Sequence, residues 1–189
     1  MESFLVSCGV VALAEIGDKT QLLALVLAAK FRKPVPIILG ILVATLANHA
    51  LAGAVGSWIA ALVGPVAMRW ILGLSFIAMA IWTLVPDKLD EEKDTAPRFG
   101  VFGTTLVAFF LLEMGDKTQI ATIALAAKYP SLIGVVAGTT VGMLLANVPA
   151  VLLGEVAARK LPLRLVHGIA AAIFFVLGVS ILLGAGPEL

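Results

Sequence analysis

Glu15, Asp18 and Lys19 recur as Glu113, Asp116 and Lys117, each trio set inside a strongly apolar stretch. The surrounding segments, EIGDKTQLLALVLAAK at 15–30 and EMGDKTQIATIALAAK at 113–128, are identical at ten of sixteen positions. Helix positions three and four apart share a face. Each trio is therefore expected to project together, with Glu15 facing Lys19 and Glu113 facing Lys117. Gly17 and Gly115 stand between the acids, where a missing side chain allows close approach or local unwinding. Thr20, Gln21, Thr118 and Gln119 add neutral oxygens. Four carboxylates converging from two segments form a hard-oxygen site suited to Mn²⁺, Ca²⁺ or Mg²⁺ rather than to soft metals. Four carboxylates and two lysines sum to −2, which one divalent cation or two protons would neutralise. Alternation of those two states would exchange one M²⁺ for about two protons.

The elements that must hold these groups are membrane spans. The chain has 189 residues, is 61% hydrophobic and only 13% charged, with a mean hydropathy of +1.09. A soluble domain carries about 25% charged residues. The expected class is an all-α integral membrane protein, with the lipid bilayer as its solvent. An ionisable group at mid-membrane costs from ~2.5 to more than ~10 kcal/mol, so the acids need a compensating use. A net charge of +1 without a basic cluster gives no footprint for nucleic acid, and a single Cys8 excludes an internal disulfide or a Cys-based metal site. The first residues lack a basic n-region and run directly into Glu15 and Asp18, so no cleavable signal peptide is expected.

Crossing the hydrocarbon core takes about 20 mainly apolar residues. Six transmembrane helices are predicted on that basis, at 4–29, 35–61, 66–86, 101–127, 132–157 and 165–185. They fall into two three-helix repeats, 1–86 and 101–189, joined by a charged linker at 87–100. The repeat extends past the acids. Gly40, Ala44, Asn48, Ala52, Gly56 and Ala60 are answered by Gly138, Gly142, Ala146, Ala150, Gly154 and Ala158, two ridges of mostly small residues that allow close helix packing. Nine basic residues (Lys30, Arg32, Lys33, Lys88, Lys93, Arg98, Arg159, Lys160, Arg164) gather on one side, against Arg69 and Lys128 on the other. The richer side should be cytoplasmic, which puts both termini outside. Three spans per half is an odd number, so the two repeats should be inverted, a plan common among secondary transporters.

Glu15-Ile16-Gly17-Asp18-Lys19-Thr20 and Glu113-Met114-Gly115-Asp116-Lys117-Thr118 both fit the signature E-x-G-D-K/R-T/S. This doubled motif resembles that of the Gdt-type cation/proton exchanger family, which includes Golgi manganese/calcium transporters and bacterial manganese exporters. The resemblance covers both halves of the chain. It implies export of a divalent cation in exchange for protons, with Glu15, Asp18, Glu113 and Asp116 binding metal and proton in turn. It implies no resident cofactor, Mn²⁺ ahead of Ca²⁺ as cargo, and the bacterial inner membrane as location. Nothing in the sequence sets an oligomeric state.

Further polar residues lie in the spans. Asn48 and Asn147 sit at comparable depths and are candidates to support the site, either as neutral ligands or by interhelical hydrogen bonding. His49 could accept a proton or bind Mn²⁺, but neither repeat register places a histidine opposite it, so it is expected to pack or line a pore. Pro149 should kink the fifth span and free the carbonyl of Leu145. Glu155 is placed to pair with Arg159. Trp58, Trp70 and Trp82 should anchor span ends, and Arg164 and His167 should face headgroups. Two competing functions are weighed. An exporter of a small organic cation or amino acid would need an aromatic cavity, for which the motif spans offer only Phe4, Phe102, Phe109 and Phe110. An intramembrane enzyme with an acid dyad would not require the acids in duplicate.

Overall fold

Proline and glycine set the helix boundaries. Pro34 and Pro65 occupy first-turn positions of the second and third long apolar stretches, where a missing N–H has no helical partner to lose. Arg32 closes the preceding helix in the left-handed conformation, φ 53°, its N–H donating to the Ala28 carbonyl at 3.0 Å. The computed structural model describes residues 1–85, 99–153 and 163–184. Among these are eight helices: α1 Glu2–Glu15, α2 Lys19–Phe31, α3 Pro34–Leu62, α4 Pro65–Thr83, α5 Gly100–Glu113, α6 Lys117–Lys128, α7 Leu132–Leu153 and α8 Leu163–Leu182. The charged run 87–98 and the Glu155–Arg159 pair lie outside the described residues.

Among the described residues, four helices are long and apolar enough to cross a membrane: α3, α4, α7 and residues Arg164–Leu182 of α8. The first and fourth predicted spans are each two short helices rather than one. α1 stops at Glu15 and α2 starts at Lys19; α5 stops at Glu113 and α6 starts at Lys117. Hydropathy runs unbroken across both interruptions, so composition alone reads through them. The cause is local: Gly17 and Gly115 adopt φ 83° and 84°, a conformation that disfavours side chains with a Cβ.

Two apolar cores flank the breaks. One gathers Val10, Met68, Leu72, Phe76, Ala121, Leu125 and Phe174 from α1, α4, α6 and α8. The other gathers Val11, Leu27, Ile37, Ile41, Phe109 and Met143 from α1, α2, α3, α5 and α7. α4 and α8 pair through Phe76 and Phe174, ring centroids 6.1 Å apart. The predicted glycine ridges are contact surfaces. A Cβ at Gly40 would meet the Thr105 Cβ at 2.8 Å and the Phe102 carbonyl at 3.0 Å. A Cβ at Gly138 would meet the Ser7 Cβ at 3.0 Å and collide with the Phe4 carbonyl. The two contacts are equivalent, because Phe102 and Thr105 are the repeat mates of Phe4 and Ser7. α5 thus lies on α3 as α1 lies on α7.

Candidate functional site

The two breaks have the same backbone geometry. Ile16 has φ −65°, ψ 115° and Asp18 φ −77°, ψ 166°; Met114 has φ −67°, ψ 114° and Asp116 φ −78°, ψ 167°. The same hydrogen bonds follow. The N–H of Asp18 donates to the Glu15 carbonyl at 3.0 Å, and that of Asp116 to the Glu113 carbonyl at 3.1 Å. Gln21 Oε1 accepts from the Gly17 N–H at 2.9 Å, and Gln119 Oε1 from the Gly115 N–H at 2.7 Å. The Thr20 hydroxyl donates to Glu15 Oε2 at 2.5 Å, and the Thr118 hydroxyl to Glu113 Oε2 at 2.9 Å. Thr and Gln in the motif therefore hold the loop and the glutamate in place.

Because each helix breaks, the expected single face for each trio does not form. Asp18 and Asp116 become the N-caps of α2 and α6, where the positive ends of the helix dipoles favour a carboxylate. Each lysine reaches across to the aspartate of the opposite half. Lys19 Nζ lies 2.7 Å from Asp116 Oδ1, and Lys117 pairs with Asp18 Oδ1. All four acids and Lys117 are buried, while the Lys19 side chain keeps 23% of its surface exposed.

These pairs compensate two of the four carboxylates, so that Glu15 and Glu113 would together carry −2 when both are ionised. Glu15 Oε1 and Glu113 Oε1 are buried and accept no hydrogen bond among the described residues. One ligand oxygen each from Glu15, Glu113 and Asp116 lie within 4.8 Å of one another, a span able to hold a metal ion. Asp18 does not join that group among the described residues; its carboxylate faces Lys117, and its Oδ2 receives the Thr20 N–H at 3.5 Å.

Asn48 and Asn147 separate in role. Asn48 Nδ2 donates to the Phe110 carbonyl at 2.9 Å and its Oδ1 accepts from Gln119 Nε2 at 3.4 Å. Its amide meets protein at both ends, so it ties α3 to α5 and α6. Asn147 Nδ2 turns back to the Met143 carbonyl of its own helix at 3.1 Å. Gln21 Nε2 instead reaches the Ala146 carbonyl at 2.9 Å, so Ala146 answers Asn48. Pro149 lies inside α7. His167, expected at the headgroups, has its Nε2 2.9 Å from the Ile16 carbonyl. It braces the first break, a role that no motif spacing signals. Phe109 is buried in apolar core and Trp58, Trp70 and Trp82 are exposed near helix ends.

The family model for the divalent cation/proton antiporter GDT1 matches residues 3–91 and 101–188. The chain belongs to this family. GDT1 proteins are transporters and not enzymes, which removes the acid-dyad reading, and the long apolar helices are those of a membrane protein. Similar proteins include one of Vibrio cholerae provisionally named a manganese exporter, 50% identical over 181 residues, covering 95% of this chain and 90% of the relative. A GDT1-like protein of Synechocystis is 29% identical over 188 residues, covering 89% of this chain and 91% of the relative. A GDT1-like protein of Oryza sativa is 27% identical over 206 residues, covering 95% and 73%. No solved structure matches the chain.

Proposed function

We propose that this GDT1 protein exports Mn²⁺ from the cytoplasm in exchange for about two protons, with Glu15, Glu113 and Asp116 as the principal ligands. The observation that carries the reading is the buried Glu15–Glu113 centre, whose two carboxylate oxygens lack a hydrogen-bond partner among the described residues and which bears −2 when both groups are ionised. One divalent ion or two protons neutralise it equally, and a site that is neutral in both loaded states can cross the membrane interior at low cost. Asp18 completes the acidic set. Its pairing with Lys117 makes it a reserve ligand and proton site, released when the lysine moves.

Oxygen ligands suit Mn²⁺ and Ca²⁺ alike. Mn²⁺ is favoured by the name of the Vibrio cholerae relative, similar over nearly the whole chain. The fold is read as six spans in two inverted repeats, with α1–α2 and α5–α6 each crossing the membrane as one broken span. Identical breaks and equivalent glycine contacts support that reading, since discontinuous helices near the midplane are how such transporters present backbone and helix ends to an ion. The Vibrio cholerae relative supports a bacterial inner membrane location, and the distribution of basic residues supports periplasmic termini.

The test is transport in proteoliposomes, with Mn²⁺ and Ca²⁺ supplied in parallel and a pH dye in the lumen. Mn²⁺ movement against an opposite proton flux is the expected result. Absence of flux for both ions under an imposed proton gradient would refute the reading.

A further inference from the structure

His49 of α3 is fully buried, and neither ring nitrogen has a hydrogen-bond partner among the described residues. An imidazole always carries at least one N–H, and leaving a buried polar group unsatisfied costs about 1–3 kcal/mol. The residue is not alone. One turn earlier on the same face, Thr45 is also fully buried with its hydroxyl unpartnered among the described residues. Thr140 of α7, buried, has an unpartnered hydroxyl as well.

Helix register brings these groups to one level. Early α3 (Ile37, Ile41, Ala44) shares a core with late α7 (Met143, Ala150, Val151). The last turns of α3 (Ile59, Ala60, Val63) share the other core with Leu132 and Val135. α3 and α7 therefore pack antiparallel. A Cβ at Gly53 would meet Leu132 at 2.7 Å and Val136 at 3.1 Å. One turn back along α3 from Gly53 is His49; one turn on along α7 from Val136 is Thr140. In the other direction the face continues to Ser57, whose hydroxyl donates to the Gly53 carbonyl at 3.0 Å. Ser57 in turn lines a cavity of about 470 Å³ with Ala60, Pro65, Met68, Lys128 and Tyr129. The α3 face thus runs from the crossing of α3 and α7, beside the Asn48 that holds Gln119, to a cavity at the end of the helix where Lys128 lies. That end is the one poor in basic residues, assigned above to the periplasm.

We propose that His49 is a proton relay between this cavity and the Glu15–Glu113 centre, serving a route that the metal does not use. The inference rests on the antiporter reading above. A proton entering from the cavity is accepted on one ring nitrogen of the neutral imidazole, giving imidazolium. The ring then releases a proton from its other nitrogen to a glutamate carboxylate and returns to the neutral form. Buried water held by Thr45, Thr140 and Ser57 can bridge the gaps, since such polar groups hold ordered water in protein interiors. The charged groups on the elements packed against α3, with their capping residues, are Asp18, Lys19 and Lys30 of α2, Glu113 of α5, and Asp116, Lys117 and Lys128 of α6; α7 has none among its described residues.

The test separates two modes of exchange in proteoliposomes. Isotopically labelled Mn²⁺ exchanging for unlabelled Mn²⁺ needs no proton, whereas Mn²⁺ exchanging for H⁺ does. His49→Gln is expected to keep metal-for-metal exchange within about twofold of wild type while Mn²⁺/H⁺ exchange falls at least about tenfold, a loss on the scale of removing a positioned acid–base group. Wild-type rates in both modes, or equal loss of both modes in a variant that still binds Mn²⁺ by calorimetry, would overturn the proposal. Should His49→Gln not fold, Thr140→Val decides: slowing confined to Mn²⁺/H⁺ exchange supports the relay, and no slowing overturns it. Failure of the wild type to exchange Mn²⁺ for Mn²⁺ removes the antiporter reading, and the relay with it.

Discussion

Lys117 is buried against Asp18, so the lysine of the second motif neutralises the acid that caps the first motif's helix. Lys19 returns the contact to Asp116 at 2.7 Å. The two halves are thereby joined at their most polar points. Removing one partner of a buried pair leaves the other charged and desolvated.

Lys117→Met is accordingly expected to destabilise the protein by about 3–5 kcal/mol. The double variant Lys117→Met with Asp18→Asn should recover much of that loss, because no charge is then left unpaired. Thermal unfolding in detergent measures both. Equal melting temperatures for the single and double variants would contradict the pairing.

Glu113→Gln and Glu15→Gln keep an oxygen that can accept from Thr118 and Thr20, so each should fold. Each also removes one unit of the −2 charge. Mn²⁺ binding, read by calorimetry, should fall by more than about tenfold, and Mn²⁺/H⁺ exchange should be abolished. Asp116→Asn is expected to behave likewise, as is Asp18→Asn in transport.

If one Mn²⁺ replaces two protons, no net charge crosses the membrane per cycle. The exchange rate in proteoliposomes should therefore stay constant when the membrane potential is clamped at different values with a potassium ionophore. A rate rising steeply with potential would require another stoichiometry, since moving one uncompensated charge is worth ~2.3 kcal/mol per 100 mV.

Gly115 offers a clean test of backbone conformation. A Cβ there would meet nothing within 4 Å, yet its φ of 84° is one that L side chains rarely adopt. Gly115→Ala should lower stability by about 1–2 kcal/mol and cut transport through displacement of Glu113 and Asp116. Gly138→Val fails for the opposite reason, since its side chain would strike the Phe4 carbonyl. Loss of transport without loss of melting temperature in Gly138→Val would argue against that contact.

The acidic motif, its duplication and the glycine ridges are all written in residue types and spacing; the motif breaks recur in both halves, and Gly40, Gly56, Gly138 and Gly142 are close contacts, while Gly154 and Ala158 lie outside the described residues. The helix breaks were not legible in the same way. Hydropathy averages over a turn or more and sees the same apolar stretch on both sides of Gly17. Only the glycine itself hinted at unwinding. Once the helix breaks, the three-and-four rule no longer applies across it, and the lysines are free to reach the aspartates of the opposite half. Long-range contacts such as His167 with the Ile16 carbonyl leave no local trace, because they depend on how α8 is docked. Asn48 and Asn147 looked like mates at matching depth, but the register fixed by Gly40 and Gly138 makes Ala146 the counterpart of Asn48.

Gln21 and Gln119 each grip the glycine of their own break with one end of the amide and a helix of the other half with the other end. Each is in effect a rivet through two plates. The shape of the loop that carries the acids is thereby tied to the distance between the halves. A cation that stiffens either loop must also load the joint between α6 and α3 or between α2 and α7. Conversely, sliding of the halves must deform the loops. Occupancy at the centre and the spacing of the repeats are then one mechanical variable, felt from both ends with equal free energy.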